Sequence, residues 1–148
     1  MEYLIKDIII RIITVLALFI FLFTNTSGNT HGSANREEPG EVFSLLENSL
    51  NSGDISSWTK YISSQTYLSL SNGESGYFSA SQAYYILQDF FKNYKVISFK
   101  FRSVNDIENP YGIAALTYEF RNRRVTAQVF VSLTKSGNNW QISQFTVK

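Results

Sequence analysis

The stretch Ala114-Ala115-Leu116-Thr117-Tyr118-Glu119-Phe120-Arg121-Asn122-Arg123-Arg124-Val125-Thr126-Ala127-Gln128-Val129-Phe130-Val131-Ser132-Leu133 reads as two strands around a tight turn. Leu116, Tyr118 and Phe120 alternate with Thr117, Glu119 and Arg121. After the turn at Asn122-Arg123, the residues Val125, Ala127, Val129, Val131 and Leu133 resume the same period of two. Side chains in a strand point alternately to opposite faces, so such a run has one dry face and one wet face. Upstream, Ile97, Phe99 and Phe101 alternate with Ser98, Lys100 and Arg102, and Asn109-Pro110-Tyr111-Gly112 reads as a turn with proline at its second position. Downstream, Ser136-Gly137-Asn138-Asn139 reads as a turn into a last strand from Trp140 to Val147. The expectation is an antiparallel meander of four strands with its apolar sets on one face. In the last strand a regular pleat sets Trp140 and Ile142 opposite Phe145 and Val147, which predicts a bulge or two-sided burial near Ser143. Phe130 breaks the polar face of the sheet and suggests a homodimer interface there.

Before the meander the period changes from two to that of a helix. Val42, Leu45, Leu46 and Leu50 recur at helical spacing, Glu37, Glu38 and Glu41 crowd the electropositive start, and Asn51-Ser52-Gly53 is a stop signal. Asp54 reads as the N-cap of a short second helix carrying Ile55, Trp58, Tyr61 and Ile62. Thr66 to Ser71, the turn at Asn72-Gly73, and Tyr77-Phe78 suit a small hairpin. Ser79 with Gln82 three residues on forms a capping box for a helix reaching Asn93, with Ala83, Ile86, Leu87, Phe90 and Phe91 on its apolar face.

The N-terminus has a different character. Lys6 and Arg11 precede the apolar run Ile12 to Phe23, about a dozen residues, which suits the core of a signal peptide and is short for a bilayer span. Thr26-Ser27-Gly28 supplies small residues for cleavage after Gly28. An uncleaved anchor is the other reading, because Ile8-Ile9-Ile10 lengthens the apolar stretch if Arg11 snorkels to the interface. Residues 1–28 are therefore expected to be a signal peptide or membrane anchor, residues 29–38 a flexible linker, and residues 39–148 the folded domain. On either reading the domain is exported across the inner membrane, to be periplasmic or secreted, and touches the membrane only through its N-terminal segment.

Composition narrows the function classes. The 148 residues, 44% hydrophobic and 16% aromatic, suffice for one core. Cysteine is absent, which excludes disulfides, thiol chemistry, cysteine-ligated zinc and a lipidated N-terminal cysteine. A formal net charge of +1 gives no bulk field for nucleic acid, which is not an expected partner. The single histidine, His31, falls in the polar linker without a partner to orient it, so neither a metal site nor a histidine base is expected, and no cofactor is implied. The charges are uneven: the stretch Arg36 to Gln88 is mainly acidic, whereas Lys92, Lys95, Lys100, Arg102, Arg121, Arg123 and Arg124 follow it.

These elements predict an α+β fold with helices on the concave face of a curved antiparallel sheet. Their order, and the terminal strand opening Asn139-Trp140-Gln141-Ile142, resemble the nuclear transport factor 2-like (cystatin-like) superfamily, over roughly Pro39 to Lys148. More narrowly, Tyr77-Phe78-Ser79-Ala80-Ser81-Gln82-Ala83 with Leu87 and Phe90-Phe91 resembles a domain-of-unknown-function family of small exported bacterial proteins. The resemblance implies the cone fold, whose open end often holds a ligand, and it brings no assigned reaction.

The aromatic richness without acid/base chemistry leads to an expected ligand site around Trp58, Tyr61, Tyr84, Tyr118 and Trp140. It would take a small apolar or amphipathic ligand or a partner protein, unless those rings fill the cone themselves. The rival is an isomerase- or cyclase-type enzyme with Glu119 or Asp54 as base and Tyr118 or Tyr61 as proton donor. For Glu119 the simpler use is a cross-strand ion pair with Lys100 or Arg102.

Overall fold

The computed structural model describes Tyr3 and residues 38–148. Apart from these positions, the expected leader and linker, His31 included, lie outside the described residues.

Helix α1 spans Pro39–Ser52, with proline in its first turn, where a missing N–H costs nothing. It ends where Gly53 takes the left-handed conformation at φ 75°, donating its N–H to Leu50 O, while Asp54 N–H reaches Ser49 O. Asp54 then accepts from Ser56 N–H at 3.1 Å, capping a 3-10 helix over Ile55–Tyr61. Three residues per turn suit the Ile55, Trp58, Tyr61 spacing and bury Trp58 and Tyr61. Strands β1 (Ile62–Ser69) and β2 (Ser75–Phe78) form the small hairpin. The capping box is present at Ser79 and Gln82, and α2 runs Ala80–Asn93 with Ala83, Leu87, Phe90 and Phe91 buried.

Strands β3 (Lys95–Asn105), β4 (Tyr111–Phe120), β5 (Arg123–Ser136) and β6 (Asn139–Val147) form the meander. The complete sheet is curved, open and six-stranded in the order β2-β1-β6-β5-β4-β3. One pair departs from the expected antiparallel sheet, since β1 runs parallel to β6. The polypeptide leaves β2 through α2, builds the meander, and returns β6 beside β1, so a local reading of the hairpin shows nothing of its long-range partner. The dry face carries Leu68, Phe99, Leu116, Val129, Val131, Ile142 and Phe145, closed over by α1 and α2.

The expected irregularity at Ser143 is present: Ser132 pairs with Gln144 and Leu133 with Ile142, leaving Ser143 as the extra residue, its hydroxyl donating to Ser132 O. Four sequence expectations need correction. The β4–β5 turn is Arg121-Asn122 rather than Asn122-Arg123, so Arg123 already belongs to β5 and pairs with Phe120. A bulge also interrupts β3 at Ile97, so Val96 takes the inner side opposite Tyr118 and Ile97 is left exposed. The β3–β4 turn precedes Pro110; Asn109 adopts φ 49°, Pro110 O accepts from Leu133 N–H, and Tyr111-Gly112 already belong to β4. Glu119 lies across from Lys95 and Arg124 rather than Lys100 or Arg102, because the β3–β4 turn falls earlier than 109–112 and β3 carries extra residues at Ile97 and Arg102.

Lys100 instead meets α1. Its ammonium lies 2.7 Å from Glu47 Oε1, and Glu47 Oε2 accepts from Phe101 N–H at 2.9 Å. One turn later, Asn51 accepts from Phe99 N–H and donates to Phe99 O, both at 2.8 Å. Phe99 and Phe101 turn these backbone groups away from β4, so α1 satisfies an otherwise open sheet edge.

Candidate functional site

A concavity lies where the end of α1, the start of the 3-10 helix, one side of α2 and the start of β3 meet. It is an open groove of about 870 Å³, within the size range of small-molecule sites. Its floor is apolar: Leu50 from α1 and Phe91 from α2 are buried there, with half-buried Ile55, Tyr84 and Val96 beside them. On α2 the residues Tyr84, Gln88 and Lys92 follow at intervals of four and so line one strip next to the apolar stripe that faces the core. Gln88 Nε2 donates to Tyr84 Oη at 3.0 Å, and the Tyr84 ring meets Tyr85 edge-on at 5.2 Å.

Charge on the rim is mixed but unequally committed. Asp54 is occupied as a helix cap, and Asp89 accepts from Asn93 Nδ2 at 3.5 Å. Lys92 and Lys95 are exposed at the rim, and among the described residues no ion pair engages either. The groove thus offers an apolar floor, phenol and amide groups, and two available cations. Among the described residues no carboxylate is buried, and no cluster of His, Cys, Asp and Glu has metal-binding geometry.

Of the five aromatic residues expected to form a mouth, Tyr84 alone lines this groove. Trp58 is fully buried, stacked on Phe145 at 6.0 Å, and its indole N–H has no acceptor among the described residues. Tyr61 is buried with Lys60 over its ring at 4.7 Å. Tyr118 is buried against Tyr94 at 5.3 Å. Trp140 is half-buried at the β5–β6 hairpin, with Lys135 near its ring. Sequence reading missed Leu50, Ile55, Phe91 and Val96 as groove residues, because apolar side chains on core faces carry no mark of which of them borders a concavity. The signal within reach was the Tyr84, Gln88, Lys92 strip. Of the rival acid/base candidates, Tyr118 and Glu119 do not converge, since neighbours in a strand face opposite ways and Tyr118 points into the core while Glu119 is exposed; Asp54 is exposed as a helix cap and Tyr61 is buried.

Among the described residues, the one carboxyl whose protonation is displaced is structural. Burial pushes Glu47 up, but the hydrogen bonds from Lys100 and Phe101 N–H, with the Lys100 charge, outweigh it and leave the group below the ordinary carboxylate value.

The family model described as "Domain of unknown function (DUF4783)" matches residues 43–148, from the second turn of α1 to Lys148. The chain belongs to the DUF4783 family. A DUF4783 protein of Bacteroides fragilis superposes with a TM-score of 0.61 at 18% identity, covering 70% of this chain and 93% of that one. A second DUF4783 protein, from Bacteroides ovatus, gives 0.60 at 22% identity, over 70% and 90%. An NTF-2 like protein of unknown function from Shewanella oneidensis gives 0.55 at 12% identity, over 73% and 93%. These structures place the DUF4783 domain in the NTF2-like fold and carry the resemblance read from the sequence. No curated protein matches the chain.

Proposed function

We propose that this DUF4783 protein is an exported, noncatalytic domain that binds a small amphipathic ligand in the groove between α1 and α2. The observation that carries the reading is the groove's construction: an apolar floor of Leu50 and Phe91 under a rim of Tyr84, Gln88, Lys92 and Lys95. Such a site orients a molecule with one greasy and one polar end. The absence of a buried carboxylate among the described residues favours binding over the isomerase or cyclase alternative, because a general acid or base needs a tuned, convergent partner. Export is supported by the basic residues Lys6 and Arg11 ahead of Ile12 to Phe23.

Native mass spectrometry of the full chain, expressed in an exporting bacterium and purified gently from its envelope, tests both parts. The expected species begins after Gly28, or keeps its leader as an anchor, and carries a nonprotein mass. Val96→Trp, which fills the groove from β3, should remove that added mass without unfolding the domain. An unliganded wild-type spectrum would overturn the ligand reading and move the search to a protein partner.

A further inference from the structure

We propose a second binding site, on the outer face of the sheet and independent of the groove, for a neutral oligosaccharide. Strand register places Tyr77, Tyr67, Gln144, Ser132 and Tyr111 in one row across β2, β1, β6, β5 and β4. The row spans four strand spacings, about 19 Å, the length of a short oligosaccharide laid across the strands. At one end the Tyr67 and Tyr77 rings lie 5.1 Å apart and tilted by 58°, with Tyr77 72% exposed. At the other end Tyr111 stacks on Phe130 at 5.7 Å.

Two irregularities shape this face. The β6 bulge at Ser143 lies beside a break in the β1–β6 register between Ile62 and Tyr67, where the Thr66 hydroxyl reaches Ile142 O at 2.9 Å. A bulge re-aims side chains and opens the pleat. Here it leaves a depression of about 380 Å³ lined by Gln65, Tyr67, Tyr77, Ser143 and Gln144. A neighbouring depression of about 320 Å³ includes Gln128, Phe130 and Thr146 and shares Gln144.

The chemistry selects the occupant. The first depression holds no charged side chain, and the second holds only Lys148. Aromatic faces stack on the C–H faces of sugar rings, while amides and hydroxyls exchange hydrogen bonds with sugar hydroxyls. Lys148 is a single cation beside the row, too little counter-charge to hold a charged polymer, so the match is to an uncharged glycan. A second copy of this chain fits less well, because the core of a homodimer interface is mainly apolar, whereas Ser132, Gln144, Thr146 and Gln128 interrupt this face.

Titration of the full chain with cellohexaose, maltohexaose, mannohexaose and xylohexaose, followed by calorimetry and saturation-transfer NMR, reads the site. At least one should bind, and Tyr77→Ala or Gln144→Ala should weaken it about tenfold or more. Val125→Ala, exposed at the far end of β5 seven residues from Ser132, should leave the affinity unchanged. Absence of binding to all four at millimolar concentration overturns the proposal. So does binding that neither Tyr77→Ala nor Gln144→Ala alters, or a stable dimer in which Tyr77→Ala shifts the monomer–dimer equilibrium.

Discussion

The side-chain amide of Asn51 accepts from Phe99 N–H and donates to Phe99 O, so one residue of α1 stands in for the missing neighbour of an edge strand. Asn51→Ala leaves both groups of Phe99 without their partner and should cost about 1–2 kcal/mol in denaturant unfolding. Glu47 does the parallel work for Phe101 and adds a titratable charge. Its folded pKa lies below the ordinary carboxylate value, so the unfolded chain binds the proton more tightly. The contribution is therefore complete above the unfolded value and is lost as pH falls through the folded one. The stability difference between wild type and Glu47→Gln should be largest near neutrality and shrink steadily on acidification below about pH 4. A flat difference across that range would remove the charge from the account. The sequence showed Glu47 and Asn51 one turn apart on a helix, but nothing local could show that a strand some fifty residues away left its edge open beneath them.

At the scale of the element, legibility depended on whether apolar spacing left one register or two. Ile142 and Phe145 are three apart, an odd step that a pleat cannot place on one face, and the extra residue at Ser143 was readable. Val96 and Ile97 are adjacent and alike, so either could face inward, and the bulge that exposes Ile97 was not readable. The capping box of α2 was equally plain, and Ser79→Ala should cost about 1 kcal/mol of stability by the loss of that cap. The β4–β5 hairpin offers a gain instead. Its two loop residues, Arg121 and Asn122, both hold positive φ, at 49° and 59°, the geometry of a type I′ turn. Arginine is a poor choice there, because its Cβ crowds the backbone in the left-handed region. Replacing the pair by Asn-Gly should raise stability by about 1 kcal/mol, less the small loss of the Arg121 contact over Phe120. An unchanged or lower denaturation midpoint would mean that this contact outweighs the turn strain.

For the molecule as a whole, charge is sorted by the ends of the sheet rather than by helix and strand. Strand β4 runs ten residues, about 30 Å, between the two ends. At its start lie Asp106 and Glu108 of the β3–β4 loop, with Gly40 of α1 beside Asp106, and hence Glu38 and Glu41 of the first turn. At its finish lie Arg121, Arg123 and Arg124, joined by Lys95 through register with Glu119 and by Lys92 at the end of α2. The sequence showed an acidic half and a basic half, but Asp106 and Glu108 belong to the second half by position and to the acidic end in space. A net charge of +1 therefore conceals two ends of opposite sign, with Glu119 the carboxylate set between Lys95 and Arg124 at the basic one. The chain should bind a cation exchanger at low salt near pH 7 through its basic end, since fields from an exposed patch extend about 10 Å at 0.1 M salt and are not averaged over the far end. Arg123→Glu and Lys135→Glu change the net charge equally, but Arg123 lies in the basic cluster and Lys135 near the opposite end of β5. Arg123→Glu should lower the eluting salt concentration clearly more than Lys135→Glu does. Equal losses would mean that net charge alone governs retention, and the two-ended field would then have no bearing on how this domain meets a surface.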